Sequence, residues 1–167
     1  DHNFRAIYGN WAYLKTYLRD KYGKYKLAYL SYNAGKRESY RLVGDVLLTE
    51  TDIRCKVNYP DAIVTTTWGI DLHYPDKQNS RYFPGQEFIA YAIHPNKRKE
   101  DYTFPYRCLY SRNIENLFMA GRNISVTHIA LGAIRVQRTT GMMGEVVGMA
   151  AYLCMKYRCS PRQLYTD

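Results

Sequence analysis

Residues 116–151 read NLFMAGRNISVTHIALGAIRVQRTTGMMGEVVGMAA, and this stretch decides the fold. A short apolar run, Leu117 to Ala120, stops at Gly121-Arg122. A polar, Gly-containing loop follows, and then Gly141, Gly144, Gly148 and Ala151 recur at helical spacing. Glycine inside a helix costs about 1 kcal/mol against alanine, so its recurrence implies a compensating need for close approach. The pattern predicts a buried strand over NLFMAG, a loop, and a helix starting near Thr139-Thr140-Gly141. The free N–H groups and positive dipole end of such a helix form a ready anion site. Gly144, Gly148 and Ala151 would leave one face bare for another element to pack against.

Outward from this unit, the chain reads as mixed. Asn10 is expected to cap a helix over WAYLKTYLRDKYG, with Trp11, Leu14, Tyr17 and Leu18 on one stripe and Gly23 as its stop. KYKLAYLSY (24–32) reads as a strand, and SYRLVGDVLLT (39–49) as an extended segment broken at Gly44. Thr49, followed by Glu50 and Asp52, marks a helix start. DAIVTTTWGI (61–70), EFIAYAIH (87–94) and YRCLY (106–110) read as strands, and Pro161 closes the terminal helix. The expected class is α+β: a mixed or antiparallel sheet with flanking helices and a C-terminal strand–loop–helix segment. The functional division falls at residues 1–112, a substrate or cap-type portion, and 113–167, the terminal segment.

The 167 residues, 46% apolar, suffice for one core. The chain starts at Asp1 without a basic and then apolar leader, which reads as a cut within a longer protein. Gly141 to Met155, the longest apolar segment, is too short for a bilayer and carries Glu145, so no membrane partner is expected. The net charge of +9 comes from 24 scattered Lys and Arg with one cluster, Lys97-Arg98-Lys99, in a turn-like context. No nucleic-acid partner is expected on that pattern. The 18 tyrosines suit half-buried strands, or the stacking of sugars. Four cysteines, Cys55, Cys108, Cys154 and Cys159, form no CxxC pair and have no His at ligand spacing, so no metal site is expected.

Three segments together resemble one family. YRCLYSRNIENLFMAGRNISVTHIALGAIRVQRTTGMMGEVVGMAA (106–151) is similar to the C-terminal signature of FAD-dependent oxidoreductases related to the glutathione-reductase-type flavoproteins. KRESYRLVGDVLLTETDI (36–53) and WGIDLH (68–73) resemble two further motifs, in family order. The resemblance implies FAD gripped by two chain segments. The first, an N-terminal Gly-x-Gly-x-x-Gly Rossmann unit, is absent here, since the eleven glycines show no such spacing. That missing Rossmann domain is the expected partner, and the face it would cover is an expected site of self-association.

On the same resemblance, Ala120, Gly121 and Arg122 pass the pyrophosphate and ribityl chain. Gly141, Met142, Met143 and Gly144 open the helix aimed at the flavin. Arg135 and Arg37 hold an anionic substrate or the flavin's carbonyl side. Arg122 stands where many relatives carry Asp, and Tyr40 where an Arg is expected. His73 and His128 are the catalytic candidates with Arg37, each imidazole able either to relay a proton or only to bond a loop backbone. The substrate would be a small or sugar-derived molecule. The alternative is a non-enzymatic, polysaccharide-associated module of the kind labelled xanthan lyase.

Overall fold

The computed structural model describes residues 2–33, 35, 37–75, 90–93 and 101–166. Among the described residues, helices come first and last in the chain with small antiparallel sheets between them, which makes the chain α+β as expected. It divides into two compact units, one of residues 1–36 and 74–91, the other of residues 37–73 and 92–167.

The first unit holds α1 (His2–Tyr17) and α2 (Arg19–Tyr22). The helix begins well before Trp11, so Asn10 lies inside α1 and caps nothing. Trp11 and Leu14 are half-buried, but Tyr17 and Leu18 are exposed, so the expected apolar stripe is only partly covered. Gly23 caps the C-terminus of α2 as expected, in right-handed helical geometry, its amide donating to the Arg19 carbonyl. Lys15 adds to this stop: its ammonium lies over the Trp11 ring and donates to the carbonyls of Gly23 at 2.6 Å and Tyr25 at 2.9 Å. A cation on orphan helix-end carbonyls also complements the dipole. KYKLAYLSY forms no strand, for it is largely exposed and pairs with nothing among the described residues.

The second unit carries the core. Helix α3 (Glu50–Arg54) starts at Thr49 as the sequence indicates, through a full capping box: the Asp52 amide donates to Thr49 Oγ1, and the Thr49 amide donates to Asp52 Oδ2 at 2.7 Å. Strand β1 (Ala62–Thr66) pairs antiparallel with β4 (Tyr102–Pro105), Val64 opposite Phe104 and Thr66 opposite Tyr102, with a bulge between Ala62 and Val64. Beside the bulge, Asp61 accepts two guanidinium bonds from Arg107, both 2.9 Å, and a third from the Arg107 amide. Outside this unit's core, where the chain passes from one unit to the other, β2 (Leu72–Pro75) and β3 (Ala90–Ile93) form a second two-stranded sheet. β3 lies within the expected EFIAYAIH strand, whose residues 87–89 and 94 fall outside the described residues, as does the Lys97–Lys99 cluster.

YRCLY is not a strand; Tyr106–Cys108 is a 3-10 turn after Pro105. Nor is NLFMAG a strand, its one ladder contact being the bridge of Phe118 to Tyr110. The extended segment 42–48 takes one backbone group of YRCLY and others that flank NLFMAG, whose own bonds run to Leu109 and Ser111. Val46 donates to the Arg107 carbonyl, Arg112 to Val43, Leu42 to Asn123 and Leu48 to Ser125. Leu48, Leu109, Tyr110, Ile124 and Val126 are consequently among the most buried side chains. Gly44 is required there: a Cβ would lie 2.5 Å from the Arg107 carbonyl oxygen and 3.0 Å from Ser125 Cβ.

The quoted stretch holds two helices rather than one. Between the turn and the long helix lies α4 (His128–Ile134), capped by Thr127 and buried along Ala130–Ile134. The long helix α5 (Gln137–Tyr157) begins four residues before Gly141, and α6 (Gln163–Thr166) follows Pro161. Gly141, Gly144 and Gly148 have no atom within 4 Å of a built Cβ, so in this chain the small-residue face is open rather than packed.

Two glycine replacements should therefore move stability in opposite directions. Gly44→Ala is expected to cost about 1–3 kcal/mol by forcing apart two backbones. Gly144→Ala is expected to gain up to about 1 kcal/mol, because helix propensity acts there without a clash. Urea unfolding of the two variants beside the parent chain measures both signs.

Candidate functional site

Arg37, His73, His128 and Arg135, far apart in sequence, line one cavity of about 210 Å³ in the second unit. Glu38 and Asp71 complete its polar walls, and Leu72, Leu131 and Gly132 its apolar ones. Helix α4 delivers His128 at its first turn and Arg135 at its C-cap, one on each end of the same short element. Gly132, between them, is the closest approach in the site: a Cβ there would sit 2.7 Å from the Asp71 carbonyl oxygen and 3.0 Å from its amide nitrogen. Only a residue without a side chain lets α4 lie on the WGIDLH backbone in this way.

Each imidazole has its own carboxylate. His128 Nδ1 lies 2.9 Å and 2.8 Å from the two oxygens of Glu38, a residue that also pairs with Arg41. With Nδ1 engaged, Nε2 is the nitrogen left for another partner. His73 Nε2 lies 3.3 Å from Asp71 Oδ1. Asp71 also takes Arg135, whose Nη2 donates to its carbonyl oxygen at 3.2 Å and lies 3.5 Å from Oδ2. Arg37 is exposed and makes no hydrogen bond or ion pair with another described residue.

Burial tends to raise the Glu38 carboxyl, but the hydrogen bonds and charges of His128 and Arg41 outweigh it and hold the group below its ordinary 4.5. Arg135 is pulled down first by desolvation, then by the positive charge of Arg37 and Arg122, against the attraction of Asp71 and Glu38. Arg122 therefore acts electrostatically on the cavity although it sits on the Gly121 turn.

The remaining sequence candidates form a second group. Ala120, Gly121 and Arg122 lie on a turn, Gly121 at φ 124°, where a side chain is strained. That turn is held to α5 by the Gly121 amide, which lies 3.3 Å from the sulfur of buried Met143. Met142 is half-buried, while Gly141 and Gly144 are exposed on the open face. The first-turn amides of α5 belong to Gln137, Arg138 and Thr139 rather than to Gly141; Val136 offers them no side-chain cap, and no acidic residue neutralises that end.

Three features escaped the sequence reading. Helix α4 was hidden because seven residues with a central glycine show too little periodicity. Asp71 and Gly132 were inside quoted motifs, yet their roles depend on a contact across about sixty residues of chain. Among the described residues no three His, Cys, Asp or Glu side chains come together as a metal site, and no helix is long and apolar enough to cross a membrane.

Comparison with protein families matches residues 2–167 to the FAD dependent oxidoreductase family, and the chain belongs to that family. No curated protein and no solved structure matches it.

The sign of the Glu38 shift sets a pH dependence. A carboxylate held below its ordinary value adds stability above that value and loses it as pH falls through the lowered one. Glu38→Gln should lower stability near pH 7 by no more than about 1 kcal/mol, the range of a solvent-exposed ion pair. The difference from the parent should close below the ordinary carboxylate value of 4.5. Urea midpoints of both chains across pH 3–7 check the window; a constant gap would assign the loss to packing.

Proposed function

We propose that this chain supplies the flavin-side half of the FAD site and part of the substrate site of an FAD-dependent oxidoreductase. The observation that carries the reading is the cavity joining Arg37, His73, His128 and Arg135, residues chosen from motifs of that family. The portion within 1–112 brings Arg37 and His73, and the segment 113–167 brings α4, the Gly121 turn and α5. A Rossmann segment elsewhere in the protein would grip the ADP half, and the relation to glutathione-reductase-type flavoproteins belongs to this same reading.

The residues fit such a cofactor. The bare face at Gly141, Gly144 and Gly148 leaves room that any Cβ would reduce. The uncapped start of α5 has amides and a positive dipole end for an anionic edge, and Arg122 suits a phosphate. A flavin held there would supply two-electron redox chemistry, and the amides and dipole of α5 would favour its reduced, negatively charged form. The chain's own residues do the rest: the arginines orient an anion, and an imidazole backed by a carboxylate accepts or returns a proton at its outward nitrogen.

The polysaccharide-associated alternative would draw on exposed tyrosines, such as Tyr29, Tyr32 and Tyr40. The cavity favours the flavoenzyme, because paired imidazoles and arginines serve proton transfer and anion binding rather than sugar stacking.

Gly141→Val separates cofactor from fold. The position is open, so the variant should fold as the parent does. In the enzyme that includes its ADP-binding segment, bound flavin should drop well below one per chain. Visible absorbance against protein concentration reads the ratio, and a variant that folds and keeps its flavin rejects this placement of α5.

A further inference from the structure

We infer that the cavity beneath α4 takes a small carboxylic acid with an oxygen on the neighbouring carbon, a 2-hydroxy acid or its 2-oxo counterpart. This rests on the reading of that cavity as the substrate side of the flavin site.

Size sets the first limit. About 210 Å³ lies under the roughly 300–1,000 Å³ of pockets for drug-sized ligands, so the occupant is a compact molecule and not a dinucleotide. Charge sets the second. Four guanidinium groups, Arg37, Arg41, Arg122 and Arg135, bear on this region against two carboxylates, Glu38 and Asp71. Both carboxylates are already engaged, Glu38 by His128 and Arg41, Asp71 by His73 and Arg135. Arg37 is left with no partner among the described residues, and its charge disfavours the protonated Arg135. An anion between the two arginines relieves that repulsion, and a planar carboxylate matches the guanidinium fork.

The imidazoles set the third. His128 keeps Nε2 and His73 keeps Nδ1 for a ligand, because the other ring nitrogen of each is turned to a carboxylate. Two such nitrogens beside an anion clamp suit one further oxygen close to the carboxylate carbon. Arg37 and Arg135 thus fix the acid group, His128 contacts the adjacent oxygen, and Glu38 positions His128 by holding Nδ1.

Oxalate, with two adjacent oxygen-bearing carbons, is the probe, and the 167-residue chain is titrated calorimetrically while imidazole resonances of His73 and His128 are followed by NMR. Saturable binding is expected, with both rings shifting, and acetate should bind at least about tenfold more weakly for want of the second oxygen group. Arg37→Gln should weaken oxalate at least about tenfold. Since Arg37 is exposed and makes no hydrogen bond or ion pair with another described residue, that variant keeps its fold, which far-UV circular dichroism verifies. His128→Gln should narrow the preference for oxalate over acetate.

Inorganic phosphate forms the opposing arm. Phosphate binding more tightly than oxalate, with the same two rings shifting, would make this a cofactor-phosphate site and overturn the proposal. Absent oxalate binding, or binding unchanged in Arg37→Gln, would overturn it as well. None of these measurements requires bound flavin, so failure of the flavin reading and failure of the carboxylate reading register in different experiments.

Discussion

A chain of two buried hydroxyls ties together the parts that matter. Thr139 Oγ1 donates to Thr66 Oγ1 at 3.0 Å, and Thr66 Oγ1 donates to the Ala133 carbonyl at 3.1 Å. The end of β1, the last turn of α4 and the first turn of α5 meet at this point. Both threonines are buried, so removing one partner would strand a polar group at about 1–3 kcal/mol. The corner fixes the angle at which α4 leaves for the cavity and α5 for its open face. Arg135 occupies the bend itself, which is why one residue can serve the cavity while being two positions from the start of the long helix.

From that corner the two groups of site residues acquire distinct physical characters. The cavity group is built from charges in close pairs, its two lining guanidinium groups standing beside two carboxylates and two imidazoles. The turn-and-helix group is built from absences: a glycine at positive φ, an uncapped helix start and a face without side chains. Met143 holds the second group together, since its buried sulfur receives the amide of the turn and ties it to α5. Arg122 links the two groups electrostatically, by its effect on Arg135.

Much of the fold was legible where the signal is local. The capping box at Thr49 and Asp52 is complete within four residues, and AIVTT is β-branched enough to fix β1 without its partner in view. The family resemblance survived because motifs report function through residue identity, not through element type. What stayed hidden depends on distant chain. YRCLY and NLFMAG have strand composition, but YRCLY closes into a turn and gives its Arg107 carbonyl to segment 42–48, while NLFMAG bonds back to Leu109 and Ser111, and no periodicity in 106–121 announces a partner sixty residues earlier. KYKLAYLSY has strand composition with nothing to pair with among the described residues. Of the site, the four cavity residues were named from sequence, while Asp71 and Gly132 emerged only when α4 was seen lying on the WGIDLH backbone.

The contact between segment 42–48 and residues 123–126 has a consequence for the chain's tolerance to change. Leu48 and Val126 are bridged in parallel, so residues 49–125 form a long excursion whose two ends meet at this seam. The entropy of closing a loop rises only with the logarithm of its length, by about 0.6 kcal/mol for each doubling. A longer excursion would therefore scarcely loosen the seam, whereas one added carbon at Gly44 strikes it directly. Within one motif-bearing chain, the span that carries the cavity-lining His73 can diversify in length, whereas the seam cannot.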